Sequence, residues 1–209
     1  TRLNKYLASC GVGSRRACDA LIQEGNIFVN NSRCENPATQ IGPDDMVRVG
    51  RKSVSPRTTE VILLNKPAGL VCTAQDELGR GTIYDILPPK LKHLKNVGRL
   101  DKDSEGLLVL TNDGDIALKL THPAQKVEKE YVVTLNQAFP NEVMDQLIKG
   151  VHTPEGRAKA KAVRRISPRR VKVVLETGLK RQIRYMFDAV HLKVTKLVRI
   201  RIGMLEDTR

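Results

Sequence analysis

Tryptophan is absent from this chain, and aromatic residues make up only 3% of its 209 positions. Three Phe and four Tyr cannot supply the broad base-stacking platform that an RRM sheet carries. Four cysteines occur, Cys10, Cys18, Cys34 and Cys72, but no two form a C-x-x-C pair and no histidine stands at zinc spacing from them. They read as reduced thiols of a cytoplasmic protein, and no metal is expected. Long apolar runs are missing too. Stretches such as Val61-Ile62-Leu63-Leu64 fall far short of the roughly 20 residues that span a bilayer. Residues 1–20 are polar and mixed, so no secretory leader is expected. Neither a dinucleotide fingerprint nor a P-loop is present.

Acidic residues are also scarce relative to basic ones: 23 against 36, for a formal net charge of +13. Such an excess calls for a polyanionic partner, and without a membrane span that partner is expected to be nucleic acid. The charge is clustered. Residues 157–172 hold eight cations and no acid: Arg157, Lys159, Lys161, Arg164, Arg165, Arg169, Arg170 and Lys172. Residues 180–201 add seven cations against one acid. Clustering suits phosphate contacts, although a solvated charged face has the same composition. Charge alone does not separate DNA from RNA.

With 40% hydrophobic residues the chain can build a packed core, as one large or two small domains. Leu3 and Leu7 at i,i+4 predict a short helix over 2–9, ended by Gly11 and Gly13. Ser14 is a suitable N-cap for a second helix, with Ala17, Ala20 and Leu21 on one face and Gly25 as its stop. Arg15 and Arg16 fill the first turn of that helix, where the dipole disfavours cations by a few tenths to about 1 kcal/mol. Either a compensating anion binds there or the two arginines are simply solvated. Ile27-Phe28-Val29, an Asn30-Asn31 turn and Met46–Val49 predict short strands. Residues 50–59 are polar and cationic and read as a linker, separating a domain at 1–49 from one at 60–209.

The larger domain reads as a mostly antiparallel α+β unit. Strands are expected at Val61–Leu64, which is apolar enough to be buried, at Leu107–Leu110, at Tyr131–Leu135, at Val171–Leu175 and at Val194–Ile202. Helices are expected over 115–120, after Asn141 as cap with Val143, Leu147 and Ile148 inward, and over 180–190 with Ile183, Phe187 and Val190 on one side.

The run Gly98-Arg99-Leu100-Asp101-Lys102-Asp103-Ser104-Glu105-Gly106 carries the most chemical information. It sets Asp101 between two cations at the mouth of an apolar strand. A carboxylate so placed can serve as nucleophile or base, or can be an ordinary loop residue. Asp103 is its rival, on the same side if the segment is extended.

Residues 2–49 resemble an S4 RNA-binding domain, through Arg2-Leu3-Asn4-Lys5-Tyr6-Leu7, Gly11–Arg16, Glu24-Gly25 and Val29-Asn30. The rest resembles the RsuA branch of pseudouridine synthases. The matching segments are Asn65-Lys66-Pro67-Ala68-Gly69, Gly98–Asp101 through Leu108, Thr111–Gly114, Lys129-Glu130-Tyr131, Gly178–Met186 and Leu197–Gly203. At the end of the chain, Glu206-Asp207-Thr208-Arg209 does not match the short extra strand and Arg-containing tail that members of this branch carry after the final Ile-Gly.

The resemblance implies an S4 domain followed by a mixed-sheet catalytic domain that turns a uridine of ribosomal RNA into pseudouridine without cofactor or metal. It implies Asp101 as the catalytic aspartate, Tyr131 as the tyrosine that stacks on the target base, and Arg184 as the basic partner of the catalytic carboxylate. On the residues alone, the favoured reading of Tyr131 is a strand-edge tyrosine with its hydroxyl in water. Arg184 can also be an i,i+4 partner of Asp188, a reading that does not exclude its pairing with the catalytic carboxylate. Arg15 and Arg16 are expected to meet RNA, because S4 domains present this helix start to it. Lys66, Arg99 and Arg199 are candidates for substrate phosphates. Glu128-Lys129-Glu130-Tyr131 and Gly178–Gln182 look closer to enzymes of large-subunit 23S rRNA, with a small-subunit 16S enzyme or a catalytically silent ribosome-assembly protein as alternatives. A monomer is expected.

Overall fold

Leu3 and Leu7 are both fully buried on one side of a helix, α1 (Leu3–Ser9). The structure is a computed structural model that describes residues 1–207, and in it the chain separates into two units. Thr1–Glu60 with Asn112–Gly114 form one, and Val61–Thr111 with the chain from Asp115 onward form the other. The final Thr208 and Arg209, part of the unmatched terminal segment, lie outside the described residues.

In the first unit, α2 (Arg15–Gln23) begins as the sequence requires, with the Ser14 side chain accepting a hydrogen bond from the Ala17 N–H at 3.1 Å. The face it buries differs from the expected one. Cys18 and Ile22 are fully buried, while Ala17 and Ala20 are exposed. The larger i,i+4 pair wins because it removes more apolar surface from water. The helix ends at Gly25, whose φ of +75° is a left-handed conformation open to glycine. Strands β1 (Ile27–Val29) and β2 (Ser32–Arg33) form a hairpin through Asn30 and Asn31, at φ of +50° and +68°, as a two-residue turn of this kind requires. Then β3 (Val47–Val49) pairs with β1, and β4 (Lys52–Val54) pairs with β3, in the order β2-β1-β3-β4. Residues 52–54, inside the stretch read as linker, are thus part of this sheet.

The second unit holds β5 (Val61–Lys66), β6 (Lys95–Val97), β7 (Glu105–Thr111), α3 (Gly114–Thr121), β8 (Lys129–Leu135), α4 (Glu142–Lys149), β9 (Val151–Thr153), β10 (Gly156–Ala158), β11 (Ala162–Ser167), β12 (Arg170–Leu175), α5 (Gln182–Asp188), β13 (Val194–Ile202) and β14 (Leu205–Glu206). Its main sheet runs β11-β12-β8-β13-β7-β5, with β14 added on β13 and β6 on β7. All pairings in it are antiparallel except β13 with β7. Strand β14 pairs Leu205 with Ile202 and Glu206 with Arg201, so a short strand does follow Gly203 despite the unmatched residues there. No helix among the described residues is long and apolar enough to cross a membrane.

Leu107–Leu110 bury on both faces. Leu108 and Leu110 enter the main core with Val133, Leu135, Val171, Val173 and Leu175. Leu107 and Val109 pack on the other face with Val97 and Ile202, near Ala117 and Leu120 of α3. An unbroken apolar run is what a strand covered on both sides needs. The apolar segment at β5 behaves otherwise: it is an edge strand, and Val61 and Leu63 are 44% and 46% exposed. In α4, Leu147 is fully buried but Ile148 is 38% exposed, since consecutive helical residues point about 100° apart.

Candidate active site

Asp101 lies in the loop that enters β7. Leu100 before it is buried, Asp101 is half-buried, Lys102 and Asp103 are exposed, and Ser104 is buried again. The segment is a tight turn, closed by the Ser104 N–H donating to the Asp101 carbonyl at 3.0 Å. The alternation that would put Asp101 and Asp103 on one side of an extended strand therefore does not apply.

Two cations hold this turn through its main-chain oxygens. Lys66, the last residue of β5, is fully buried. Its ammonium donates to the carbonyls of Pro67 (3.0 Å), Asp101 (3.2 Å), Lys102 (3.2 Å) and Ser104 (2.7 Å). Arg184, on α5, donates through Nη2 to the Asp103 carbonyl at 3.1 Å and through Nη1 to the Val194 carbonyl at 3.3 Å. Four consecutive carbonyls, 101 to 104, thus point at positive charge. The Gly69 N–H adds a bond to Lys102 O at 2.8 Å. On the approach to the turn, Cys72 Sγ accepts from the Leu100 N–H at 3.3 Å and donates to the Leu100 carbonyl at 3.4 Å.

These contacts change the roles expected of both cations. Lys66 is not a surface cation for substrate phosphates; its ammonium is enclosed and committed to the turn. Burial pushes its pKa below the ordinary lysine value, while the neighbouring Cys72, Asp103, Asp101 and Glu105 pull it back up. Arg184 forms no ion pair with Asp101 and none with Asp188. Its guanidinium is engaged by main-chain oxygens, and its Nε is buried without a partner. The fold does bring Arg184 to the Asp101 turn, across 81 residues of sequence, but onto the backbone and not the carboxylate. The Asp101 carboxylate itself has neither a hydrogen bond nor an ion pair among the described residues, so it can meet a substrate without first breaking an internal bond.

The adjoining sheet carries two more of the candidate residues, Arg199 and Tyr131. Arg199 on β13 sits opposite Gly106 on β7 and, on its other side, opposite Tyr131 on β8. At the usual strand spacing of about 4.8 Å, this row sets the Tyr131 backbone roughly 10 Å from Gly106, just past the Asp101 turn. Tyr131 is only 8% exposed and packs in the main core beside Val133. Gly106 has φ +103°, and a Cβ there would stand 2.2 Å from the Arg199 carbonyl oxygen. Only glycine admits the parallel contact of β7 with β13 at this point. Arg199 is 3% exposed and donates through Nε to the Leu107 carbonyl at 2.7 Å. Like Lys66, it is an internal brace and not a surface cation. Its Nη2 and the Ser104 hydroxyl are buried without partners, the kind of polar atoms that an ordered water or a substrate group satisfies.

Of the remaining candidates, Arg99 is exposed at the start of the Asp101 loop. Arg15 and Arg16 are exposed on the first turn of α2, in the first unit. No cluster of three or more His, Cys, Asp or Glu side chains able to hold a metal occurs among the described residues. Cys72 and Ser104 were not singled out by the sequence. Their one signal was nearness to a motif, Ser104 within the Asp101 run and Cys72 soon after Lys66-Pro67.

Comparison with known proteins gives this geometry a family. Residues 60–189 match the family described as RNA pseudouridylate synthase, and residues 1–47 match the S4 domain. The chain is 38% identical over 205 residues to the dual-specificity RNA pseudouridine synthase RluF of Salmonella typhi, covering 97% of this chain and 70% of that protein. It is 35% identical over 204 residues to the ribosomal large subunit pseudouridine synthase B of Bacillus subtilis, covering 95% and 84%. A crystal structure of a pseudouridylate synthase superposes with a TM-score of 0.69 at 27% identity, over 98% of this chain and 90% of that one. With its S4 domain ahead of an RNA pseudouridylate synthase domain, the chain belongs to the RNA pseudouridylate synthase family, in its RsuA branch.

Proposed function

We propose that this enzyme isomerises a specific uridine of ribosomal RNA, in the large-subunit 23S species, with Asp101 as its catalytic carboxylate. The observation that carries the reading is the turn at 101–104. A loop whose four consecutive carbonyls are tied down by Lys66 and Arg184 is preorganised, and the Asp101 carboxylate is its half-buried side chain, set between exposed Lys102 and Asp103 and buried Leu100. Preorganisation of this kind lowers a barrier, because no reorganisation is needed when the reacting atoms meet.

The reaction breaks the N1–C1′ bond of uridine, turns the base and joins C5 to C1′. The proton at C5 leaves and N1 gains one, so the product is an isomer of the substrate and nothing is oxidised. The chain's own residues are sufficient: Asp101 acts on the sugar or the base, Tyr131 stacks against the displaced ring, and Arg184 positions the Asp101 turn. Stacking on one aromatic ring contributes about 1–3 kcal/mol, comparable to the few kcal/mol needed to flip a nucleotide out. Arg15, Arg16 and Arg99 hold RNA phosphates, so that binding energy remote from the target base offsets the cost of flipping it. The enzyme works in the cytoplasm as a monomer. The 23S assignment is supported by the large-subunit relative.

The test is to incubate the protein with unmodified 23S and 16S rRNA transcripts and to map pseudouridine by carbodiimide-stopped primer extension. One new stop on the 23S transcript is expected. A stop confined to 16S would replace the 23S assignment, and no stop on either RNA would remove the rRNA reading.

A further inference from the structure

The cationic stretch at 157–172 divides in two in the folded chain. Some of its charge is spent internally. Lys161 lies 2.6 Å from Glu128 and 2.7 Å from Glu176, and its pKa is pushed up to about 12. Lys172 pairs with Glu130 at 3.3 Å, and Glu128 and Glu130 also hold Arg201 at 3.0 and 2.9 Å. Arg157 donates to the Lys149 carbonyl. Arg164, Arg165, Arg169 and Arg170 differ. All four are exposed, and none has a side-chain hydrogen bond or ion pair among the described residues.

These four arginines share one corner of the sheet. Arg164 and Arg165 lie on β11, the edge strand, opposite Lys172 and Val171 of β12. They project to opposite sides of the strand, so guanidinium groups flank the rim. Arg169 follows Pro168 in the hairpin turn, and Arg170 opens β12 opposite Ser167. From Arg164 to the turn is roughly 10 Å at the usual rise per residue. Charge on an edge strand can serve merely to block edge-to-edge pairing. The opposite edge of this sheet does without it: β5 carries only Lys66, which is buried, and exposes Val61 and Leu63. The four unpaired groups of the hairpin are all arginine, whose planar fork matches phosphate bidentately; the exposed Lys159 lies ahead of β11 and outside the hairpin.

We propose that the β11–β12 hairpin is a second RNA-docking surface of the catalytic unit, gripping the phosphate backbone of the substrate RNA away from the target uridine. This rests on the RNA-modifying function proposed above. An anionic membrane is the other polyanion that such a corner could meet. RNA is favoured because the chain belongs to an RNA-modifying family.

The test is the salt dependence of binding to an unmodified 23S rRNA transcript, measured by fluorescence anisotropy for the wild type, Arg164→Ala/Arg165→Ala, and Arg164→Lys/Arg165→Lys. The alanine pair is expected to weaken binding at least tenfold and to reduce the slope of log K against log salt by about 1–2. The lysine pair should keep most of the slope. Circular dichroism confirms folding of each variant. A slope and affinity unchanged by the alanine pair would overturn the proposal, as would loss of binding to phosphatidylserine vesicles with RNA binding intact. Pseudouridine formation is read separately on the same proteins. A wild type that makes none would fail the proposed function, while the slope would still report on the hairpin.

Discussion

The buried ammonium of Lys66 lies 2.7 Å from the main-chain oxygen of Ser104, 38 residues further along the chain, and from there reaches three more carbonyls. A lysine is rarely enclosed unless its charge is satisfied. Here the last residue of β5 supplies the charge, and the turn that presents Asp101 supplies the oxygens.

Replacing Lys66 by Met keeps the apolar stem and removes the charge. Four carbonyls lose a charge-assisted partner inside the protein, and a cost of about 3 kcal/mol in denaturant unfolding is expected. Turnover should fall at least a hundredfold, because the Asp101 turn is no longer held. Lys66→Arg should restore part of the stability but little of the turnover, since a planar fork cannot converge on four oxygens around one point.

Arg184 acts on the same turn from the other side. With Arg184→Met, kcat is expected to fall about a hundredfold while KM changes little, because the guanidinium bonds the Asp103 and Val194 carbonyls and not a phosphate. A rise in KM with unchanged kcat would instead assign Arg184 to RNA binding.

Gly106→Ala places a methyl group against the Arg199 backbone at a φ of +103°. The combined strain and overlap should cost more than about 3 kcal/mol and separate β7 from β13. Chemical denaturation measures it directly, and a loss below 1 kcal/mol would show that the parallel contact yields without cost.

The loop at 73–81 has its own pH signature. The Asp76 carboxylate accepts from the Arg80 guanidinium and backbone N–H, which lowers its pKa to about 2. A depressed carboxylate stabilises the folded form above the unfolded value near 4 and loses that contribution as pH falls toward 2. Carbon-detected NMR should find the Asp76 midpoint near 2, and Arg80→Ala should raise it only part of the way to the ordinary range, because the backbone N–H of residue 80 still donates to the carboxylate.

Arg15 and Arg16, on the first turn of α2, are expected to contact RNA through the first unit. Mutating both to Ala should reduce the salt slope of RNA binding by about 1–2. The α2 cap would be untouched, because Ser14 supplies it.

Much of the architecture could be read from local chemistry. Ser14 announced a helix start, Asn30-Asn31 a tight hairpin, and Leu107–Leu110 a strand covered on both faces. Within the candidate site, Asp101 and Tyr131 were named through the motifs of the resemblance, and their roles are part of the proposal. The errors share a physical origin. Lys66 and Arg199 were read as surface cations because charge is usually solvated, yet their partners are backbone oxygens of other segments, which no side-chain pattern records. Arg184 was placed against the correct turn but on the wrong atom for the same reason. In α2, the expected face of Ala17, Ala20 and Leu21 gives way to Cys18 and Ile22, a buried thiol packing as a small hydrophobe.

The central claim is that Asp101 carries the chemistry, and a single-turnover assay tests it most directly. Wild type and Asp101→Asn, each in excess over an unmodified 23S rRNA transcript, are compared for pseudouridine formed. The substitution keeps the size of the side chain and leaves untouched the main-chain bonds to Lys66 and Ser104. No detectable product from Asp101→Asn, with RNA affinity within about threefold of wild type, is the expected result. Product at the wild-type rate would contradict the account.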